Sequence, residues 1–474
     1  MRKKLFIGGQ WLEAASYTEL KSPYSGEVLA EIPAAGPQET EQAIEAAYQA
    51  RGAMAKLPAH RRAAILEQLA RLFAERAEEA ARIIALEAAK PIKTARAEVD
   101  RTIQTYKFAA EEAKRLSGEM IPLDAAPGGE GRIAYTMREP IGVIGAITPF
   151  NFPMNLVAHK VGPAIAAGNT IVLKPASQTP LSAFFLAELL EEAGLPAGAL
   201  NVITGSGSVI GDRIVKDDRV KGISFTGSPK VGIGIRNRAG LKRVSLELGS
   251  NSALIIDKGV NLSKIIPRCV VGSFSYQGQV CISLQRIYVH AEIYDEFVAA
   301  FKAAAAKLKI GDPLDEDTDL SAMITPGDVG RSLEWIEEAV GHGATVACGG
   351  TSDDGRVLNP TVLLGVDRTA RLSCEEAFAP IVLINRINNA DEGIACINDS
   401  KYGLHAGIYT DSIHTALNAA ERLHVGGVMI NDIPTFRVDH MPYGGVKESG
   451  LGREGVKYAI EEMTELKTVM INRN

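Results

Sequence analysis

IGVIGAI (141–147), TIVL (170–173), ALNVI (199–203), VKGISF (220–225) and RVSLE (243–247) are the stretches on which the fold turns. Each is a short apolar run, and the segments between them (154–167, 181–193, 209–216 and 229–239) read as helices. Strand and helix alternating in this way is the rhythm of a parallel, doubly wound sheet, because a parallel neighbour can be reached only by a crossover. Downstream, a second alternating block begins near Ala253 with ALIID (253–257), a helix over 262–274, RIYVH (286–290) and a helix over 292–308. It predicts a second α/β unit. Upstream, residues 61–90 set Ile65, Leu66, Leu69, Leu72 and Phe73 at three- and four-residue spacings between charges, which predicts one long amphipathic scaffold helix. The segment IPLDAAPGGEGRIAYTMRE (121–139) joins turn-forming Pro and Gly to a period-two pattern, and LKTVMIN (466–472) reads as another edge strand. Strand edges left open need pairing, so a homo-oligomer, dimer or tetramer, is expected through them.

Bulk properties exclude several classes. A chain of 474 residues implies two or three packed domains, and 46% hydrophobic with 23% charged residues is ordinary globular composition. The formal charge of −6, from 51 basic and 57 acidic residues, offers no field for a polyanion, so no nucleic-acid partner is expected. Five cysteines (269, 281, 348, 374 and 396) are odd in number and lack CxxC or Cys/His spacing; neither disulfides nor a metal are expected. The start, MRKKLFIGGQWLEAAS, has no apolar core of leader length, and no run of about 18 apolar residues occurs. A cytoplasmic protein without a membrane partner is expected.

Four residues stand where chemistry is feasible. Cys281 closes SFSYQGQVC (273–281), a polar, Gly-containing turn before a strand. Glu247 in VSLELGSNS (244–252) and Lys174 in VLKPASQTP (172–180) end predicted strands, where ligands meet parallel sheets. Asn151 lies in AITPFNFPMN (146–155), a loop fixed by two prolines. Taken singly, each has a plain reading: a buried thiol, a loop acid, a surface lysine, an amide satisfying a turn.

Their conjunction is specific. TPFNFP (148–153), LKPASQTP (173–180), FTGS (225–228), LELG (246–249), GQVC (278–281), EEAFAP (375–380) and PYGGVKESGLGREG (442–455), in this order across essentially the entire chain, resemble the aldehyde dehydrogenase superfamily, in its hydrolytic, non-CoA-acylating branch. The resemblance implies an α/β fold of two doubly wound parallel-sheet domains plus a strand-built oligomerisation element. It divides the chain into a dinucleotide-binding domain (1–119 and 141–248), a catalytic domain (249–446) and oligomerisation segments (120–140 and 447–474).

Carried over motif by motif, the resemblance makes Cys281 the nucleophile, Glu247 the general base and Asn151 the side-chain half of an oxyanion hole. A cysteine thiolate adds readily to a carbonyl, an incipient alkoxide needs aimed donors, and a carboxylate in an apolar pocket gains basicity. For NADP or NAD, the resemblance places Lys174 on the adenosine ribose, Glu376 on the nicotinamide ribose and Phe378 beside it. Phe225, Thr226, Gly227, Ser228 and Val231 supply the strand-to-helix turn at the pyrophosphate, although FTGSPKVG (225–232) is not GxGxxG. Ile147, Thr148, Pro149, Phe150 and Leu248 line the same crevice, with Gly207 and Gly211 of TGSGSVIG (204–211) as an adenine-side loop or a bare Gly turn. Ser177 stands where NAD-preferring relatives usually carry a glutamate, so acceptance of NADP is expected. Departures from the pattern are Ser250 in LELGS, Phe150 where tryptophan is common, and apolar Val280 before the nucleophile.

For the substrate, Phe152, Val280 and Ile282 predict an apolar wall; Arg101 opens a helix expected over RTIQTYKFAAEEA (101–113), and neither it nor Arg437 has an acidic partner at helical spacing within its own segment. Either arginine alone reads as a solvated charge. Together they predict a clamp for the far end of a short aldehyde with an anionic tail, of the succinate semialdehyde, lactaldehyde or glyceraldehyde-phosphate type. Neutral aliphatic aldehydes are the alternative. Two further readings stay open at this point, a thiol hydrolase without redox chemistry and a catalytically silent structural protein.

Overall fold

In the computed structural model, which describes residues 1–473, the five fold-deciding stretches form one sheet; Asn474, the end of the expected C-terminal segment, lies outside the described residues. The strands Leu200–Val202, Thr170–Lys174, Val143–Ile147, Val220–Thr226 and Arg243–Glu247 lie side by side in that order, all parallel. Their side chains alternate between two cores, Ile144 and Leu173 on one face and Val143 and Val172 on the other. Helices cover both faces, which is why the strands read as continuous apolar runs. From Val143–Ile147 the chain winds first to one side and then, from Val220, to the other, so a crevice opens at the carboxyl ends between these two strands. Register brings the candidate residues to that edge: Ile147 lies opposite both Lys174 and Phe225, and Thr226 opposite Glu247.

The intervening helices Asn155–Ala167, Leu181–Glu192 and Pro229–Arg238 match the expected spans to within a residue. The helix expected over 209–216 is instead a π-helical turn, Gly207–Gly211, running into the short helix Asp212–Lys216. Antiparallel strands that the sequence did not suggest close both edges of the sheet, the hairpin Leu5–Ile7 and Gln10–Leu12 beside Val202, and Gly450–Leu451 beside Leu246 and Glu247.

The second sheet orders parallel strands Thr361–Leu364, Ile381–Ile387, Arg286–His290, Ala253–Ile256, His405–Tyr409 and Gly427–Ile430, with Thr345–Cys348 antiparallel at one edge. Its helix Leu262–Phe274 is as expected, and the helix expected over 292–308 spans Tyr294–Ala305. The hairpin also forms: Thr464–Asn472 pairs along the whole of Arg132–Pro140, which pairs in turn with Met120–Ile121.

Two helical expectations need correction. Residues 61–90 are not one helix but two, Ala59–Glu75 and Ala77–Ala88, broken at Arg76 (φ −111°, ψ 27°). The bend lets both apolar stripes pack on the helix Ile92–Ala113. Arg101 lies in the middle of that helix rather than at its start. Among the described residues no helix is long and apolar enough to cross a membrane.

Candidate active site

Cys281 and Asn151 arrive from different sheets and are stitched together by the backbone. Asn151 follows the strand Val143–Ile147, and its Nδ2 donates to the carbonyl of Gln279 at 3.0 Å, two residues before Cys281. One amide hydrogen therefore stays free for a ligand oxygen. The turn leading to Cys281 is strained: Tyr276, Gln277 and Gly278 all have positive φ (48°, 54° and 66°). At Gly278 a Cβ would sit 2.1 Å from the carbonyl oxygen of Ala379, so only glycine fits there. The two non-glycine residues are held by buried bonds, Tyr276 Oη to the Ala88 carbonyl and Gln277 Nε2 to the carbonyls of Ala89 and Ala322.

The sulfur of Cys281 lies 2.9 Å from the hydroxyl of Tyr443. Burial pushes the thiol up to about 11, with the Tyr443 hydrogen bond and the Arg437 charge pulling the other way. A cavity of about 190 Å³ opens onto this sulfur. Arg101, Phe152, Val280, Ile282 and Arg437 all line it, so the structure brings every expected substrate contact to the candidate nucleophile.

Glu247 is fully buried and both carboxylate oxygens lack a hydrogen-bond partner. Burial, reinforced by the nearby charge of Glu454, raises its pKa well above the usual carboxylate range. Its oxygen Oε1 abuts Gly444, where an added Cβ would come within 2.9 Å. Glu454 itself is held charged. Lys160 Nζ donates to it at 2.9 Å and Arg437 Nη2 at 3.1 Å, and these cations outweigh the burial that opposes its charge.

Neither arginine is a free surface charge. Arg101 meets Asp439 through two bonds, 2.7 and 3.2 Å, and Asp439 also accepts from Asn155 Nδ2 (3.0 Å) and contacts His159 Nε2 (2.9 Å). The side chain of Arg437 is buried, pairs with Glu454 and stacks 3.7 Å over the ring of Tyr443. Neither acid stands at helical spacing from its arginine, which hid both pairs from the sequence. The Nε of Arg437 keeps no partner.

On the other side of the crevice the residues suit a dinucleotide. Lys174 is buried yet its ammonium has one carbonyl partner, that of Pro175 at 3.2 Å, and burial lowers its pKa. Gly207 stands beside it, and Gly211 beside the side chain of Ile147. The Thr148 hydroxyl is buried without a partner; Ser228, at the N-cap of the ten-residue helix Pro229–Arg238, uses its hydroxyl for no capping bond. Gly232 in that helix packs on Leu248, while Val231 and Ser177 are exposed. Glu376 accepts from Ser250 N–H at 2.9 Å, touches Gly249, and is pushed up to about 7 by burial. Phe378 (φ 49°) meets Phe150 edge-on at 5.8 Å. The hydroxyl of Thr226 takes a 2.7 Å bond from Lys160. Unpartnered polar atoms, a helix N-terminus and glycines that leave room along one crevice fit a nicotinamide dinucleotide.

Sequence reading passed over Tyr443, Lys160, His159, Asp439 and Glu454. Two signals were present. His159 and Lys160 are ionisable side chains on an otherwise apolar helix, NLVAHKVGPAIAA, and Tyr443 and Glu454 lie inside a quoted motif.

Comparison with known proteins agrees with this geometry. The model of the aldehyde dehydrogenase family matches residues 11–469. The 3-sulfolactaldehyde dehydrogenase of Priestia aryabhattai is 46% identical, over 99% of this chain and 98% of its own. Among solved structures, aldehyde dehydrogenase 21 of Physcomitrella patens, in complex with the reaction product succinate, is 41% identical with a TM-score of 0.97, over 100% of this chain and 98% of that one. Glyceraldehyde-3-phosphate dehydrogenase of Methanocaldococcus jannaschii, complexed with NADP, is 44% identical with a TM-score of 0.93, over 97% and 100% of the two chains. With a family match spanning nearly the whole chain and a dinucleotide crevice facing a buried thiol, this chain belongs to the aldehyde dehydrogenase family and is an NAD(P)-dependent oxidoreductase acting on aldehydes.

Proposed function

We propose that the enzyme oxidises a short aldehyde with an anionic tail to its carboxylic acid, through a thioester on Cys281. The observation that carries this reading is the cavity on Cys281, whose lining includes Arg101 and Arg437. Their acidic partners do not cancel them. Arg101, Arg437 and Lys160 face Asp439 and Glu454, three positive charges against two negative; burial and the Glu454 charge favour the neutral form of Glu247, burial likewise keeps His159 neutral, and Glu98 is matched by Lys90. One positive charge is left over beside the cavity, and Arg437 Nε has no protein partner. A sulfonate, carboxylate or phosphate would satisfy both. The relatives named for 3-sulfolactaldehyde and crystallised with succinate handle anions of this size.

The chemistry follows from the residues. The Cys281 thiolate adds to the carbonyl carbon, and the electron pair displaced onto oxygen is met by the free hydrogen of Asn151 Nδ2 and by the Cys281 N–H. The bound dinucleotide supplies the hydride acceptor that turns this adduct into a thioester. Glu247 then takes a proton from a water attacking the thioester carbon, the C–S bond breaks, and the thiolate leaves. Lys174, Ser177, Glu376, Phe378 and the Phe225–Ser228 turn hold the cofactor. We place the protein in the cytoplasm, and assign residues 120–140 with the C-terminal strand to a homo-oligomer contact, since Met120, Leu466 and Met470 are apolar and exposed there.

Kinetics with a matched pair test the substrate class. Succinate semialdehyde should exceed butanal in kcat/KM by about tenfold or more, and Arg101→Ala should remove most of that preference. Equal values in the parent would leave the apolar wall of Phe152, Val280 and Ile282 in charge and favour neutral aldehydes.

A further inference from the structure

Tyr443 belongs to PYGG and its ring is 2% exposed. Two neighbours fix the plane of that ring, the Arg437 guanidinium 3.7 Å above its centroid and the His405 ring edge-on at 5.1 Å. The hydroxyl is thereby aimed at Cys281 Sγ, 2.9 Å away. With a neutral thiol either atom can donate. A thiolate has no hydrogen to give, so once Cys281 ionises the phenol must be the donor, and a contact of this kind favours the charged form.

The surroundings make such a donor necessary. Burial and the carboxyls of Glu376 and Glu247 oppose charge on Cys281, while Arg437 and the Tyr443 hydroxyl favour it. Around Tyr443, burial holds the phenol protonated, with Cys281 and Glu247 acting in the same sense and Arg437 against. His405 contributes no charge, because burial draws it down to about 4. The guanidinium over the ring face polarises the phenol and strengthens it as a donor.

We propose that Tyr443 is a further catalytic residue, whose hydroxyl donates to the Cys281 thiolate and raises the fraction of the nucleophile that is charged when the aldehyde arrives. The proposal rests on the reading of Cys281 as the nucleophile. When sulfur bonds to the carbonyl carbon its charge passes to the aldehyde oxygen, and the phenol is left beside a neutral thioether. The contact therefore acts on the fraction ionised rather than on later steps. A more acidic thiol is also a weaker nucleophile, by about 0.4–0.5 logarithmic units per pKa unit, so the advantage at neutral pH is only part of the gain in ionisation.

Tyr443→Phe keeps the ring between Arg437 and His405 and deletes the donor. The test is the alkylation rate of Cys281 by iodoacetamide in the purified enzyme, followed against pH and assigned by peptide mass spectrometry, because Cys374 is exposed and would be labelled as well. The titration midpoint should rise by about one pH unit, and the rate at pH 7 should fall about threefold, the net of a tenfold loss of thiolate and its greater nucleophilicity. Tyr443→Leu, which also removes the ring, should raise the midpoint in the same direction. An unchanged profile in both variants, or faster labelling at every pH as expected of a merely loosened pocket, overturns the proposal. Failure of the nucleophile reading is a separate result, turnover by Cys281→Ala, and does not depend on the labelling profile.

Discussion

The ammonium of Lys90 donates a 2.6 Å hydrogen bond to the backbone carbonyl of Asn151, and both residues are buried. The same ammonium grips Glu98, whose other oxygen accepts from the N–H groups of Met154 (2.9 Å) and Asn155 (3.2 Å) at the start of the next helix. One ion pair thus fixes both ends of the loop 151–155. Phe152 and Tyr276 cover the ammonium at 3.8 and 4.4 Å. Buried pairs of this kind add little net stability compared with apolar residues of the same shape, but breaking one strands a charge. Its use here is to aim the Asn151 amide.

Lys90→Met should accordingly cost about 3–5 kcal/mol of stability by leaving Glu98 unpaired. It should also lower kcat, since the loop carrying Asn151 loses an anchor. Lys90→Met combined with Glu98→Gln should recover much of the stability without restoring kcat. Denaturant unfolding and steady-state rates on both variants check this, and an unchanged kcat in Lys90→Met would show that the pair aims nothing.

Cys281→Ala should reduce dehydrogenase turnover by about 10⁴-fold or more, as removal of a covalent nucleophile does. Alanine at Cys348, Cys374 or Cys396 should leave kcat within about twofold, since none of them lines the cavity. Cys269 is fully buried and its replacement should cost stability rather than rate. Appreciable turnover by Cys281→Ala would end the thioester mechanism.

What the sequence disclosed and what it hid divide along range. The strands at 141–147, 170–173 and 220–225 were readable because both faces of a parallel sheet are buried, which leaves an unbroken apolar run. The break at Arg76 was not, because Leu72, Phe73, Ala80 and Ala81 continue an apolar pattern across it and only packing on the helix Ile92–Ala113 shows two axes. Within the site, Cys281, Glu247 and Asn151 stand in motifs whose order marks the family. The pairing of Arg101 with Asp439 spans 338 positions and has no local signature. Nor could spacing reveal that Tyr443 lies against Cys281, 162 positions away.

Glu247→Gln should separate the two halves of the reaction. Cys281 and Asn151 are untouched, so a burst of reduced cofactor of about one equivalent should remain while steady turnover falls by about 10²–10⁴-fold, the usual scale for a lost general base. The working form of Glu247 is the carboxylate, and its pKa is raised by burial. In the parent, deacylation should therefore accelerate as pH rises through that raised value, a limb that Glu247→Gln should lack. Loss of the burst with normal acyl-enzyme breakdown would assign Glu247 to another step.

We propose that the cofactor preference is set at Lys174 and Ser177. The ammonium of Lys174 is buried with a single carbonyl partner, Ser177 is exposed three residues on, and the hydroxyls of Ser206 and Ser208 bond each other at 2.8 Å on either side of Gly207, which stands beside Lys174. An adenosine 2′-phosphate offers the missing acceptor to Lys174 and meets no acid at Ser177. NADP⁺ should therefore be used well by the parent, and a preference for NAD⁺ beyond about a hundredfold, roughly 2.7 kcal/mol, would contradict this. Ser177→Glu supplies the sharper comparison. Two like charges about 4 Å apart repel by about 1 kcal/mol in water and about 4 kcal/mol at the reduced dielectric of a protein surface. The variant should then lose about tenfold or more in kcat/KM for NADP⁺, while NAD⁺, with a hydroxyl able to donate to the new carboxylate, stays within about threefold. If both cofactors fall together, the substitution has disturbed the loop and Ser177 does not govern the choice; if neither changes, the 2′-phosphate is held elsewhere in the crevice.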